Sequence, residues 1–188
     1  MRTVTSAFIL LAALLLGASP AAARVSPHET ISTVINGNRI TLVYGRPYSK
    51  DPKTGEMRVV WGGLIGGSKL NPWGKAWRAG ADEATLFITQ KPLLVGDAVV
   101  PAGAYTLYVI PYADGRATLV INKQLGQWGL DYHADQDLAR VPLTRSDLPE
   151  SVDQLTLALA KNPAGGGLLE LKWEKTQYAV ALKLQPAA

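Results

Sequence analysis

The chain has 188 residues, a formal net charge of +4 and no cysteine. Without thiols there are no disulfides, thiolate metal sites or cysteine nucleophiles, so stability has to come from the hydrophobic core. The basic residues are scattered rather than clustered, which selects neither nucleic acid nor a membrane surface as a partner.

The N-terminus carries Arg2, an apolar run from Ala7 to Leu16, then Gly17, Pro20 and Ala21-Ala22-Ala23 ahead of Arg24. That is the pattern of a secretory leader with a small-residue cleavage site. The apolar run is shorter than the roughly 20 residues a membrane span requires. We therefore expect residues 1–23 to be a signal peptide, and 24–188 a single domain, periplasmic or secreted, with no membrane anchor in the mature protein.

From Glu29 to Tyr44 the sequence alternates around Asn36-Gly37, a dipeptide suited to a two-residue turn because both positions take positive φ. A turn there sets Thr33 against Ile40 and Ile31 against Leu42, with Ile31, Ile40, Leu42 and Tyr44 on the core face. Pro47 to Pro72 is punctuated by Pro52, Gly55, Gly62, Gly63, Gly66 and Gly67, so it reads as a glycine-rich loop with a short strand at Met57 to Trp61. Thr85 to Thr89 predicts a strand with Leu86 and Ile88 inward. Turns at Gly96-Asp97 and Asp114-Gly115 predict hairpins joining Leu93–Val95 to Ala98–Val100 and Tyr105–Ile110 to Ala117–Asn122.

Leu125 to Asp137 is polar and broken by glycines, which suits a loop or a short helical turn. Leu138 to Leu143 and Asp153 to Leu159 read as two strands flanking Ser146-Asp147-Leu148-Pro149. Gly165-Gly166-Gly167 reads as a flexible joint before a last hairpin, Leu168–Trp173 and Tyr178–Leu184, turning at Glu174 to Gln177. Roughly nine to eleven strands with frequent turn signals predict an all-β fold, an antiparallel β-sandwich of jelly-roll or immunoglobulin-like type in preference to a closed barrel.

Four motifs follow one another along the chain: Tyr44-Gly45-Arg46-Pro47; Trp73-Gly74-Lys75-Ala76-Trp77-Arg78-Ala79-Gly80-Ala81-Asp82-Glu83-Ala84-Thr85; Pro101-Ala102-Gly103-Ala104-Tyr105-Thr106-Leu107-Tyr108-Val109-Ile110-Pro111; and Ile121-Asn122-Lys123 ahead of Gln127-Trp128-Gly129. In this order they resemble a bacterial exported domain-of-unknown-function family, DUF2911. The resemblance covers most of the chain after the leader and implies no activity. Lys50 to Leu70 departs from it, being longer and richer in glycine than the corresponding stretch of the family.

The second motif concentrates the chemistry. Trp77 offers an apolar platform, Arg78 a planar fork for an anionic or hydroxylated group, and Asp82 and Glu83 acceptors for hydroxyl groups. The competing reading is architectural, with Arg78 paired to Asp82 or Glu83 and the tryptophan in the core. As sequence neighbours in a strand, Asp82 and Glu83 point to opposite faces, which makes them a poor acid–base couple for glycoside hydrolysis. Arg46, at a strand end, either joins Arg78 in an anion pocket or caps carbonyl groups, and Trp128 either stacks on a ligand or closes the end of the fold.

Asp131 to Asp137 alternates oxygen and nitrogen ligands but has Gln136 and Pro142 where a calcium loop needs glycine and glutamate. A two-histidine metal site would require His28 and His133 to meet. Gly66-Gly67-Ser68-Lys69-Leu70 lacks the closing glycine of a nucleophile elbow and has lysine on the wrong side of serine for a phosphate loop. No motif specifies a catalytic residue, a metal ligand or a cofactor, and the oligomeric state is left open. The sequence thus points to a non-enzymatic exported protein that binds a small polar ligand, such as a glycan or envelope component, through Arg46, Trp77, Arg78, Asp82, Glu83 and Trp128. Two alternatives are an envelope hydrolase using Asp, Glu and His, with or without a metal, and a scaffold that recruits another protein along a sheet edge.

Overall fold

A computed structural model describes residues 25–63 and 71–185. The expected leader and the Gly66-to-Leu70 motif lie outside the described residues. Among the described residues nine strands form: β1 (His28–Ile35), β2 (Asn38–Gly45), β3 (Thr85–Thr89), β4 (Leu93–Val95), β5 (Ala98–Val100), β6 (Gly103–Pro111), β7 (Ala117–Asn122), β8 (Asp137–Lys161) and β9 (Gly167–Leu184), with one 3-10 turn at Ala134–Gln136. All pairings are antiparallel, and the strands make one sheet in the order β1-β2-β3-β6-β7-β8-β9-β4-β5. The fold is all-β, and the sheet is not closed into a barrel.

The first hairpin forms as the alternation predicts. Asn36 and Gly37 take φ of 50° and 75°, Thr33 pairs with Ile40, and Ile31 pairs with Leu42. Ile40, Leu42 and Tyr44 are buried, and Ile31 packs partly buried against them. In β3 the expected faces are exchanged: Leu42 pairs with Phe87, so Phe87, Thr85 and Thr89 face inward while Leu86 and Ile88 are half-buried on the other side. All three apolar residues of this strand suit a core, so alternation alone left the choice of face to its pairing with β2. No strand forms at Met57 to Trp61, where only an isolated bridge from Met57 to Lys50 appears.

The largest departure lies in the last third of the chain. The four expected strands are two long ones, and Asn162 to Gly166 is the tight turn between them, closed by Gly165 N–H to Asn162 O at 2.9 Å. Ser146 to Pro149 is absorbed as an irregularity: Asp147 pairs with Thr176 but Val152 pairs with Glu174, so β8 carries three extra residues over that interval. A bulge of this kind accommodates Pro149, which has no N–H to give a ladder. Glu174 continues β9 with φ of 52° instead of turning it back.

The first part of β8 pairs with β7 and the rest with β9, so β8 carries the sheet from one arm into the other. The arms share a core in which Ile40, Leu42, Phe87, Leu107 and Leu119 belong to one cluster with Leu155, Leu157, Leu169, Leu171 and Leu182. Each such side chain contributes about 1.5–3 kcal/mol when buried. Trp77 stacks on Trp173, with ring centroids 5.6 Å apart and planes at 23°, and Trp61 meets both edge-on.

That stacking anchors the connection between β2 and β3. Trp77 exchanges backbone hydrogen bonds with Val109 of β6, at 2.8 and 2.7 Å, and Ala81 N–H donates to Gly45 O at 3.2 Å. A Cβ on Gly45 would lie 2.4 Å from the Ala81 carbonyl oxygen, so only glycine lets the end of β2 meet this segment so closely. Arg78 to Glu83 is thereby fixed beside the first residue of β1 and the last of β2.

Candidate functional site

Trp77 is only 1% exposed, and its indole N–H donates to Gly80 O at 3.1 Å. It forms part of the floor beneath a cleft and is chiefly a core residue, as the architectural reading of the sequence held. Arg78, its neighbour, turns the other way. The residue is 6% exposed, yet its Nε and Nη1 have no hydrogen-bond acceptor among the described residues. Burial pulls its pKa below the usual guanidinium value, while Asp82, Tyr108 and Glu83 push it back up.

The methylene stem of Arg78 is held by the 126–129 loop. A Cβ on Gly129 would lie 1.7 Å from Arg78 Cδ, so the loop lies directly on the stem. Gly129 N–H donates to Asp82 O at 3.0 Å, and Glu83 bridges to Trp128. Beneath, Gln127 donates to the hydroxyls of Thr106 and Tyr108 at 3.0 and 3.1 Å, and burial raises the Tyr108 phenol's pKa.

Arg78, Trp77 and Asp82 line an open cleft of about 410 Å³ together with Tyr48, Asp51, Lys53 and Arg58 from the β2–β3 connection. That volume is within the range of about 300–1,000 Å³ typical of small-molecule sites. The cleft brings three cations, Lys53, Arg58 and Arg78, against two carboxylates, Asp51 and Asp82. Arg58 is already engaged by the carbonyl of Tyr48 and lies 4.0 Å from Asp51. Asp51 accepts from the Lys53 and Thr54 N–H groups, the first of which is the main cause of its lowered pKa. Arg78 has two buried donor atoms left over, Nε and Nη1, and Arg58 has one, Nε.

The other expected residues are dispersed. Arg46 is not in the cleft lining: its Nε donates to Leu155 O at 3.0 Å, its Nη2 to Thr156 Oγ1 at 2.9 Å, and its Nη1 lies 3.3 Å from Glu29. It ties the end of β2 to β8 and does not share a pocket with Arg78. Trp128 is 48% exposed and lines neither neighbouring cleft, so it does not close the end of the fold. Asp82 and Glu83 do not point apart as strand neighbours would. Asp82 takes φ of 64°, which breaks the alternation, and both carboxylates approach His28 Nε2, at 3.9 and 3.0 Å.

Two residues of the Asp131–Asp137 segment, Tyr132 and Asp137, hold it to the fold. Asp137 accepts from Asn122 at 2.9 Å, Tyr132 at 2.7 Å and Arg140 at 2.8 Å. Burial, followed by the hydrogen bond to Asp137, pushes the Tyr132 phenol's pKa up to about 12.

The family described as "Protein of unknown function (DUF2911)" matches residues 26–182. The chain belongs to this family. The DUF2911 match takes in Arg78, the whole cleft except Val25, and the 126–129 loop. Neither a curated protein nor a solved structure matches the chain. Sequence reasoning missed Tyr48, Asp51, Lys53 and Arg58, because they lie in the glycine-rich connection whose path no periodicity sets. It considered His28 only as a partner for His133, and the pairing of His28 with Gly45 that brings it to Asp82 follows from the Asn36-Gly37 register extended to the hairpin's open end.

Proposed function

We propose that this chain is an exported, non-enzymatic binding protein whose cleft takes a small polar ligand and anchors an anionic group of it on Arg78. The observation that carries this reading is the Arg78 guanidinium, nearly enclosed and yet with Nε and Nη1 lacking acceptors, on the wall of a cleft of about 410 Å³. A buried donor without an acceptor costs roughly 1–3 kcal/mol, and more for a charged group. A carboxylate or phosphate oxygen entering the cleft removes that cost and gains charge-assisted hydrogen bonds. Asp51 and Asp82 supply acceptors for the hydroxyl groups of the same ligand, which suits an acidic or phosphorylated sugar of the cell envelope.

A melting-temperature screen of the mature protein with inorganic phosphate, hexose phosphates, hexuronates and neutral hexoses tests the reading. We expect the acidic sugars to raise the melting temperature, neutral hexoses to have little effect, and Arg78→Met to abolish the response. No shift from any acidic compound in the wild type would refute it.

A further inference from the structure

A second cluster lies beside the cleft, and the ligand-binding reading makes no use of it as a group. His28 Nε2 lies 3.0 Å from Glu83 Oε2 and 3.9 Å from Asp82 Oδ2, and one ligand atom from each of the three residues falls within 4.8 Å of the others. The backbone explains the meeting. His28 pairs with Gly45, Gly45 receives Ala81, and the left-handed Asp82 swings its carboxylate to the side that Glu83 also reaches.

One acceptor in this corner is left over. Asp82 Oδ2 is buried and accepts no hydrogen bond among the described residues. An ionised oxygen withdrawn from water without a donor calls for a cation. Arg78 is near enough to act on both carboxylates electrostatically, yet its buried Nε and Nη1 reach neither. An Asp82 oxygen without a donor thus sits beside Arg78 nitrogens without acceptors, an arrangement that a metal ion on one side and an anion on the other would satisfy together.

We propose that His28 Nε2, Asp82 Oδ2 and Glu83 Oε2 bind one divalent first-row transition ion of the zinc type. Ligand atoms about 2.0–2.2 Å from such an ion lie about 3.3–3.6 Å from one another in a tetrahedral site. His28 and Glu83, at 3.0 Å, have to part by a few tenths of an ångström, and Asp82, at 3.9 Å, has to close toward His28 by a similar amount. The ion replaces the hydrogen bond between His28 and Glu83. An imidazole ligand favours zinc, iron, nickel or copper over calcium and magnesium. Two carboxylates and a neutral imidazole offset a double positive charge, and three protein ligands leave a coordination position open. Asp82 faces the Arg78 cleft, while His28 and Glu83 line an adjoining cleft of about 320 Å³. The ion is therefore reached from either side.

The test uses the mature protein stripped with a chelator, titrated with Zn2+ by calorimetry and with Co2+ by visible absorption. The wild type is expected to bind about one equivalent of Zn2+ and to give Co2+ absorption bands of protein-bound metal. Second-sphere changes alone weaken metal sites by about 10–100-fold, so losing a direct ligand in His28→Gln or Glu83→Gln should weaken Zn2+ binding at least about tenfold. His28 opens an edge strand, so His28→Gln keeps the fold, which its melting curve checks. Arg78→Met should retain metal binding while losing the response to acidic sugars, which separates this proposal from the ligand-binding one. A wild type that binds no Zn2+ up to about 1 mM, or variants that bind it as tightly as the wild type, would overturn the metal site.

Discussion

Arg46 and Arg78 stand at the two ends of the same connection, and they differ in what their guanidinium groups meet. Arg46 is pinned by a carbonyl, a hydroxyl and a carboxylate drawn from β8 and β1. Arg78 is the more enclosed of the two, yet two of its nitrogens face no acceptor. A satisfied arginine holds strands together, and its removal takes a donor from each of three acceptors. An unsatisfied one contributes little to holding the fold, and on the proposed reading it serves a ligand. Burial alone does not distinguish the two roles; the inventory of partners does.

The largest effect expected from this contrast is at Arg46. Arg46→Met leaves Leu155 O without its side-chain donor and takes one contact each from Glu29 Oε2 and Thr156 Oγ1, which keep Tyr44 and Gln154 as partners, and denaturant unfolding should show a loss of about 1–3 kcal/mol. Loss of less than about 0.5 kcal/mol would mean the contacts are only superficial, as at an exposed ion pair. Arg78→Met should behave in the opposite way. Replacing an unpaired buried charge by an apolar chain of similar length is often neutral or stabilising. The ligand-free variant should therefore melt within about 2 °C of the wild type or above it. A drop as large as that of Arg46→Met would make Arg78 structural.

Glu174 gives a smaller, pH-resolved version of the same contrast. Burial raises its pKa above the usual carboxylate value, with no partner opposing the shift. A raised folded-state pKa contributes stability that is complete below the unfolded value of about 4.3 and is lost as the pH rises through the folded one. Glu174→Gln should therefore raise the melting temperature at pH 7 by about 1–3 °C, with the difference fading as the pH is lowered toward 4. A constant difference across that range would point to packing and not to charge.

The first half of the fold was legible because turn chemistry and alternation agree there: Asn36-Gly37 admits one register, and that register places Ile40 and Leu42 inside. Leu86 and Ile88 misled because Phe87 between them is equally apolar, and only pairing with Leu42 decides the face. β8 and β9 were read as four strands because Pro149 and the polar Glu174-Lys175-Thr176-Gln177 are turn signals locally, and long-range pairing overrides both. Arg78, Asp82 and Trp77 were visible as a concentration of side-chain types in the sequence. Which arginine kept its partners was not, since Leu155 and Thr156, which engage Arg46, lie more than a hundred residues away from it.

The most direct test of the central claim follows the arginine Nε–H signals of the mature protein by 15N NMR, assigned with the two methionine variants, while a hexuronate or hexose phosphate is added. The account predicts that the Arg78 signal moves and saturates while the Arg46 signal stays in place. An unmoved Arg78 signal at ligand concentrations that raise the melting temperature, or equal movement of both signals, would contradict it.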